Sequence, residues 1–480
     1  MKTISNNFFN KFRSKIFKNS IWGLLGSLLS NVFLSLFYVL VARHYSVEDF
    51  GQYIIAYSLY QMVVAFSAMG LGHWFIREVV NVQDKNELVG KFLKMQAYFG
   101  IFFFLLSLLF TVVLYKDSTV RILSLFFAFN IVFDNIIYSI KNVNIAEFAQ
   151  KKTVTVMSIE AFSKFAIACL LFLFPFSIIV LAILLVIIRF ITLNLFLKIG
   201  AADGIKFVGF WNAKLPWSYV KNVLYKYWPF AVIGSTFVIY WKSATLIISK
   251  MLPLESVVHY ENSFKIFSLA QMVPVVVITT ALPKLVELYK ENSMPLLKST
   301  YKNIFQLCMV YGLAAFTFTY SFADELVPWI FGEKYADSAL YTKEMFFTML
   351  VFPTSLLQAN MLIAMRLEKL DMWFNINSVV INTLICIIGL SFIQSLSVVN
   401  YGIFCSFIIF HISQDIVLLK RKIISLTHII GFIVISTVLV TSYIWFSAEL
   451  LNYYLFPVFW IIIGFIYFSI TQSRAKKKTT

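Results

Sequence analysis

Residues 177–197 read SIIVLAILLVIIRFITLNLFL, a stretch with one charged side chain, Arg189. At 1.5 Å per helical residue, a stretch of this length covers about 30 Å, the thickness of a bilayer's hydrocarbon core. Its apolar residues are continuous rather than alternating, which points to a helix and not to a strand of a membrane barrel. Similar runs recur at 19–41, 50–69, 92–114, 122–140, 154–174, 229–248, 260–282, 303–321, 344–365, 372–393, 401–419, 427–446 and 455–470. The pattern predicts an all-α polytopic membrane protein of about 14 transmembrane helices. Ile21–Val41 is too long for a signal-peptide core and reads as the first helix.

The bulk composition agrees. Hydrophobic residues make up 60% of the chain and charged ones 13%, about half the share found in soluble domains. The net charge is +17, and its placement argues against a nucleic-acid partner. With the N-terminus inside and the sides alternating, twenty-nine of the forty Lys and Arg fall in cytoplasmic segments, six in external ones and five within spans. This positive-inside bias places both termini in the cytoplasm and turns the excess charge toward anionic lipids of the inner leaflet. Cys169, Cys308, Cys386 and Cys405 lie inside apolar runs without a C-x-x-C pair and read as small core residues.

The chain divides near its middle. Residues 198–228 form the longest cytoplasmic connection, and Val220, Val223, Leu224 and Tyr227 recur there at helical spacing beside Lys221 and Lys226. That reads as an interfacial helix linking an N-terminal six-helix lobe (1–197) to a C-terminal six-helix lobe (229–422). Residues 423–480 then hold two extra helices and a basic tail. A faint repeat supports two pseudo-symmetric lobes: Val47-Glu48-Asp49-Phe50-Gly51-Gln52-Tyr53 follows the first span, and Leu254-Glu255-Ser256-Val257-Val258-His259-Tyr260 follows the seventh.

Charged groups within spans mark candidate sites, because each costs about 2.5–3.5 kcal/mol on insertion scales. Lys164, Arg189, Lys242 and Lys265 outnumber Asp134 and Glu160, so a cavity lined by them would attract an anion such as a phosphate. Glu160 and Lys164 also stand i, i+4 on one helix, where they can simply neutralise each other, and Lys242, Lys265 and Arg189 can snorkel to an interface. Tyr240 and Trp241 precede Lys242 and offer faces for sugar rings. The five histidines, His44, His73, His259, His411 and His428, are scattered and read as interfacial. No phosphate-binding loop, H-E-x-x-H or G-x-S-x-G occurs, so nothing points to a catalytic residue, a metal or a cofactor.

Short motifs then add what composition lacks. Val41-Ala42-Arg43-His44-Tyr45-Ser46-Val47-Glu48-Asp49-Phe50-Gly51-Gln52-Tyr53 resembles the loop after the first helix of Wzx-type polysaccharide flippases, members of the multidrug/oligosaccharidyl-lipid/polysaccharide (MOP) exporter superfamily. Gly70-Leu71-Gly72 with Arg77-Glu78 is similar to that family's second loop, and Phe331-Gly332-Glu333-Lys334-Tyr335 to its F-G-x-x-Y element. His44-Tyr45 replaces the Leu usual after the Arg, so this loop carries no information on substrate.

The resemblance implies a MATE-like fold and, in a bacterial inner membrane, transport of an undecaprenyl-diphosphate-linked oligosaccharide to the periplasmic leaflet. The cargo it implies is an O-antigen or similar repeat unit, moved by alternating access, with a polysaccharide polymerase and chain-length regulator as partners. Arg189, Lys164, Lys242, Lys265 and Trp241 are then the expected substrate contacts, and Asp134 and Glu160 the candidates for proton or sodium coupling. A peptidoglycan lipid-precursor flippase has the same architecture but is expected to carry arginines in its first helices, which the first span lacks. A cation-coupled drug exporter of the superfamily should have a more acidic cavity. An O-antigen polymerase is a membrane enzyme that generally has a sizeable periplasmic loop, and none is visible here.

Overall fold

A computed structural model describes residues 26, 29–79, 82–202, 210–447 and 454–464. The basic N-terminal segment before the first span and the tail from Arg474 onward lie outside these residues. The described chain is helical and holds no strand: α1 (Leu29–His44), α2 (Val47–Ser67), α3 (Leu71–Glu78), α4 (Lys85–Leu114), α5 (Ser118–Ala146), α6 (Gln150–Leu170), α7 (Ile178–Lys198), α8 (Trp217–Met251), α9 (Leu254–Lys290), α10 (Met294–Phe331), α11 (Ser338–Met345), α12 (Phe352–Ala364), α13 (Glu368–Phe392), α14 (Leu396–Lys420), α15 (Leu426–Ser447) and α16 (Tyr454–Gly464).

Side-chain oxygens start several of these helices. Ser46 accepts from Asp49 N, Asp84 from Glu87 N, Asp117 from Val120 N and Ser177 from Val180 N. Each satisfies one of the orphan amides at a helix N-terminus. Along α4 the burial pattern is inverted relative to a soluble helix. Gln96, Ser107 and Thr111 are buried, while Phe102, Leu105, Leu109 and Val113 face outward. An outward apolar face with polar groups inside is what a hydrocarbon solvent selects.

Among the described residues ten helices are long and apolar enough to cross a membrane, counting α11, α12 and the turn between them as one, so the chain is a multi-pass membrane protein. An eleventh is counted if α8 is one span bent by 50° between Val232 and Gly234. Pro229 lies inside α8, where its missing N–H and its ring weaken the preceding turn. The expected count of fourteen is therefore not reached on length and apolarity. α1 and α16 are shorter apolar helices flanked by residues outside the description. The run at 344–365 is a broken span: α11 gives way to a 3-10 turn, Phe346–Leu350, before α12 begins.

The chain forms two compact units, residues 1–258 and 259–480. In the first, α5 packs against α2, α4 and α7, and α8 packs against α2. The seventh expected span thus joins the first unit rather than opening the second. The stretch expected to lie in the membrane interface is the first part of α8, and its Val220, Val223 and Tyr227 are buried in the same core as Trp74 and Phe92. Trp217, Tyr225 and Trp228 face outward instead.

The repeated segments noted in the sequence are the first turns of α2 and α9. Gly51 explains one motif, since a Cβ there would stand 2.8 Å from the Leu254 side chain. Gly70 has φ 58°, and a Cβ on it would collide with the backbone of Phe230. Only glycine fits that break between α2 and α3. Of the cysteines, Cys308 and Cys386 are buried, whereas Cys169 and Cys405 are exposed on the outer helix surfaces rather than packed in a core.

Candidate functional site

Four helices of the first unit bring their polar side chains together. α2 contributes a row of tyrosines three and four residues apart. The rings of Tyr53 and Tyr57 stack at 5.8 Å, and those of Tyr57 and Tyr60 lie 5.5 Å apart. The Tyr60 hydroxyl donates to Asp134 Oδ2 on α5. The other Asp134 oxygen accepts from Arg189 of α7, through Nε at 2.5 Å and through Nη2. Arg189 Nη1 donates to Glu160 Oε2 on α6, and Lys164 Nζ stands 2.6 Å from Glu160 Oε1.

The result is an alternating chain, Lys164–Glu160–Arg189–Asp134–Tyr60, crossing from α6 through α7 and α5 to α2. Its two positive and two negative charges cancel. The guanidinium carries donors on three nitrogens spread over a plane and reaches the two carboxylates from different edges, a geometry that an ammonium, with its donors on one nitrogen, does not reproduce. The Glu160 side chain is 3% exposed and that of Arg189 15%. Removing one partner from such a network leaves an uncompensated buried charge, which costs about 3–5 kcal/mol.

Tyr60, Asp134 and Arg189 of this network line a cavity of about 270 Å³ whose polar lining also includes Tyr57, Gln61 and Lys141. Lys141 lies two helical turns after Asp134, on the same face of α5. Among the described residues Lys141 forms no ion pair, so it leaves the cavity one positive charge in excess. At about 30 Å³ per water, the space equals about nine waters. A phosphate group or a hydrated ion fits, and an oligosaccharide does not. Nearby amides fix the wall: Asn135 Nδ2 donates to Ser67 Oγ at 2.7 Å, and Gln96 Nε2 to Ala68 O at 2.9 Å.

Four residues singled out from the sequence, Asp134, Glu160, Lys164 and Arg189, thus meet in one network. Glu160 and Lys164 pair with each other, as their i, i+4 spacing allowed, and Glu160 also joins the larger chain, but neither lines the cavity. Trp241 and Lys242 are buried on α8 and do not line this cavity. Lys265 belongs to the second unit. Sequence reasoning missed Lys141 and Tyr60. The spacing Asp134, Tyr138, Lys141 on one helix face was the available signal for the first.

The second unit holds a different buried group. Asp415 Oδ1 accepts from Gln358 Nε2 at 2.6 Å, and Oδ2 lies 3.0 Å from His411 Nδ1. The other ring nitrogen of His411 is 3.1 Å from Thr354 Oγ1. His411 is 4% exposed and sits within α14, which corrects its reading as interfacial. Its partner Thr354 is 57 residues away, so no local pattern could have revealed the pairing. No cluster of three or more His, Cys, Asp or Glu suited to a metal occurs among the described residues.

The geometry can now be set beside known proteins. The fold is similar to that of the lipid II flippase MurJ in an inward closed conformation, with TM-score 0.71 and 14% identity over 94% of this chain and 99% of that one. It is also similar to an inward-facing multidrug resistance MATE transporter of the MOP superfamily, with TM-score 0.69 and 11% identity over 82% and 94%. A MOP superfamily transporter from Pyrococcus furiosus gives TM-score 0.56 and 12% identity over 85% and 95%. At such identities the likeness shows the fold alone. No curated protein matches the sequence. The family described as "Polysaccharide biosynthesis protein" matches residues 16–289, more than half of the chain. The protein therefore belongs to the polysaccharide biosynthesis protein family, on a fold shared with MOP transporters.

Proposed function

We propose that this protein is a transporter, not an enzyme, and flips an undecaprenyl-diphosphate-linked oligosaccharide, an O-antigen or similar repeat unit, from the cytoplasmic to the periplasmic leaflet of a bacterial inner membrane. The observation that carries the reading is Arg189, buried between Asp134 and Glu160 beside a polar cavity that also holds Lys141. The family membership supports a polysaccharide precursor as cargo. Its diphosphate needs cations and its lipid tail can stay in the bilayer, while its sugars are larger than the cavity of about 270 Å³ and need space that opens in the transport cycle.

The network also suggests how an ion gradient drives the cycle. With both carboxylates ionised, the guanidinium is fully engaged. Protonation of Asp134 or Glu160, or a cation bound there, weakens one arm of the fork and frees it for the diphosphate. Transport then proceeds by alternating access, with Lys164, Lys242, Lys265 and Trp241 as further cargo contacts. Both termini face the cytoplasm in this scheme, and a polymerase and chain-length regulator take the product.

Two relatives in mechanism remain as alternatives. A peptidoglycan lipid-precursor flippase shares the fold and the diphosphate chemistry. A drug exporter that binds organic cations is less well served, because both carboxylates here already have cationic partners. Deleting the gene in its host and locating lipid-linked repeat units separates these. Repeat units trapped on the cytoplasmic leaflet support the proposal. Repeat units that reach the periplasmic side and stay unpolymerised, or an unchanged polysaccharide, contradict it.

A further inference from the structure

A larger cavity, of about 520 Å³, lies in the second unit where the first turns of α10 and α15 meet the connection after α14. Its mouth is basic. Lys298 and Lys302 stand four residues apart on α10, Lys422 comes from the connection, and His428 lies in the first turn of α15. No carboxylate lines it, and none of these lysines forms an ion pair among the described residues. His428 Nε2 is buried with no hydrogen-bond partner among the described residues. Ser425 and Thr427 bring the positive end of the α15 dipole to the same place.

Away from the mouth the lining turns apolar on both helices. Lys298, Lys302, Phe305 and Met309 follow one face of α10, and His428, Phe432 and Ile435 one face of α15. The polar-to-apolar run covers about 16 Å on α10 at 1.5 Å per residue. Gly431 lies on the groove floor, and a Cβ there would meet nothing within 4 Å. A free anion has no use for such a trough. A phosphate joined to an acyl chain uses both ends.

We propose that this groove binds an anionic phospholipid, its phosphate held by Lys298, Lys302 and Lys422 and its chain laid over Gly431 between α10 and α15. The site lies in the second unit and rests only on the protein being in a membrane, so its failure leaves the transport proposal untouched. The test uses the full-length protein in detergent, with binding read by native mass spectrometry and by thermal shift. The probes are dioleoyl phosphatidylglycerol, dioleoyl phosphatidylethanolamine and inorganic phosphate.

Phosphatidylglycerol should bind saturably and more tightly than phosphatidylethanolamine. The Lys302→Gln/Lys422→Gln variant should weaken phosphatidylglycerol binding about tenfold. Gly431→Leu, which fills the trough without removing a charge, should abolish binding. The control Lys284→Gln/Lys290→Gln on α9 should bind like the wild type. Inorganic phosphate giving the same stabilisation would mean an anion site and overturn the proposal. So would equal binding of the two lipids, or unchanged phosphatidylglycerol binding in both groove variants.

Discussion

The two units solve the problem of a buried carboxylate in opposite ways. In the first, Asp134 and Glu160 are each matched by full charges, through Arg189 and Lys164. In the second, Asp415 is held by Gln358 and His411, and Glu344 by Ser397 Oγ at 2.7 Å and Asn400 Nδ2 at 3.0 Å. A carboxylate held by uncharged hydroxyl and amide donors, as Glu344 is, can lose its charge and keep most of its hydrogen bonds. A carboxylate held by a cation cannot, because its loss leaves that cation stranded in a low-dielectric interior. The first unit is therefore where a change of protonation or the arrival of an anion has the larger consequence.

The sharpest way to break this contrast is Arg189→Gln. It strands Asp134 and leaves Glu160 with Lys164 alone, and should destabilise the protein by about 3–5 kcal/mol, with loss of export. Thermal unfolding in detergent and surface-polymer analysis read both effects. Arg189→Lys should fail to restore export, because an ammonium loses the two-nitrogen contact to Asp134 and the spread of donors that reaches Glu160 as well. Next in size is Glu160→Gln, which leaves Lys164 without its partner. Adding Lys164→Met should recover part of the lost stability, with a coupling of about 1–3 kcal/mol in a double-mutant cycle. Strict additivity of the two changes would show that the pair is not coupled.

Tyr60→Phe removes one hydrogen bond to a charged acceptor and should cost about 1.5–3 kcal/mol in the same unfolding assay. The smallest effect is expected in the second unit. Asp415→Asn keeps the shape and leaves Gln358 and His411 in place, and should cost less than about 1.5 kcal/mol with export retained. A loss of export from Asp415→Asn as complete as that from Arg189→Gln would erase the distinction between the units.

Much of this architecture was legible in the sequence, for a physical reason. Hydrocarbon demands long apolar runs whatever the fold, so spans such as 177–197 announce themselves. The i, i+4 rule likewise placed Lys164 beside Glu160. The bridge from Arg189 to Asp134 and Glu160 was not legible, because α7 is apolar on every side and its sequence does not tell which face meets which neighbour. Lys141 falls one residue past the apolar run 122–140, where the hydropathy of α5 fades. Tyr60 was lost among the many aromatics. His411 depends on Thr354 and Asp415, and only the packing of α12 against α14 brings Thr354 to it. The bend in α8 falls between Val232 and Gly234, and apolarity alone reads straight through it.

One measurement bears most directly on Arg189 as the centre of transport. In a host lacking the gene, wild-type protein and Arg189→Gln are produced to equal membrane levels, and lipid-linked repeat units are quantified on each leaflet. The account predicts that wild-type protein restores repeat units to the periplasmic leaflet, while the variant leaves them on the cytoplasmic one. Full restoration by Arg189→Gln would contradict it.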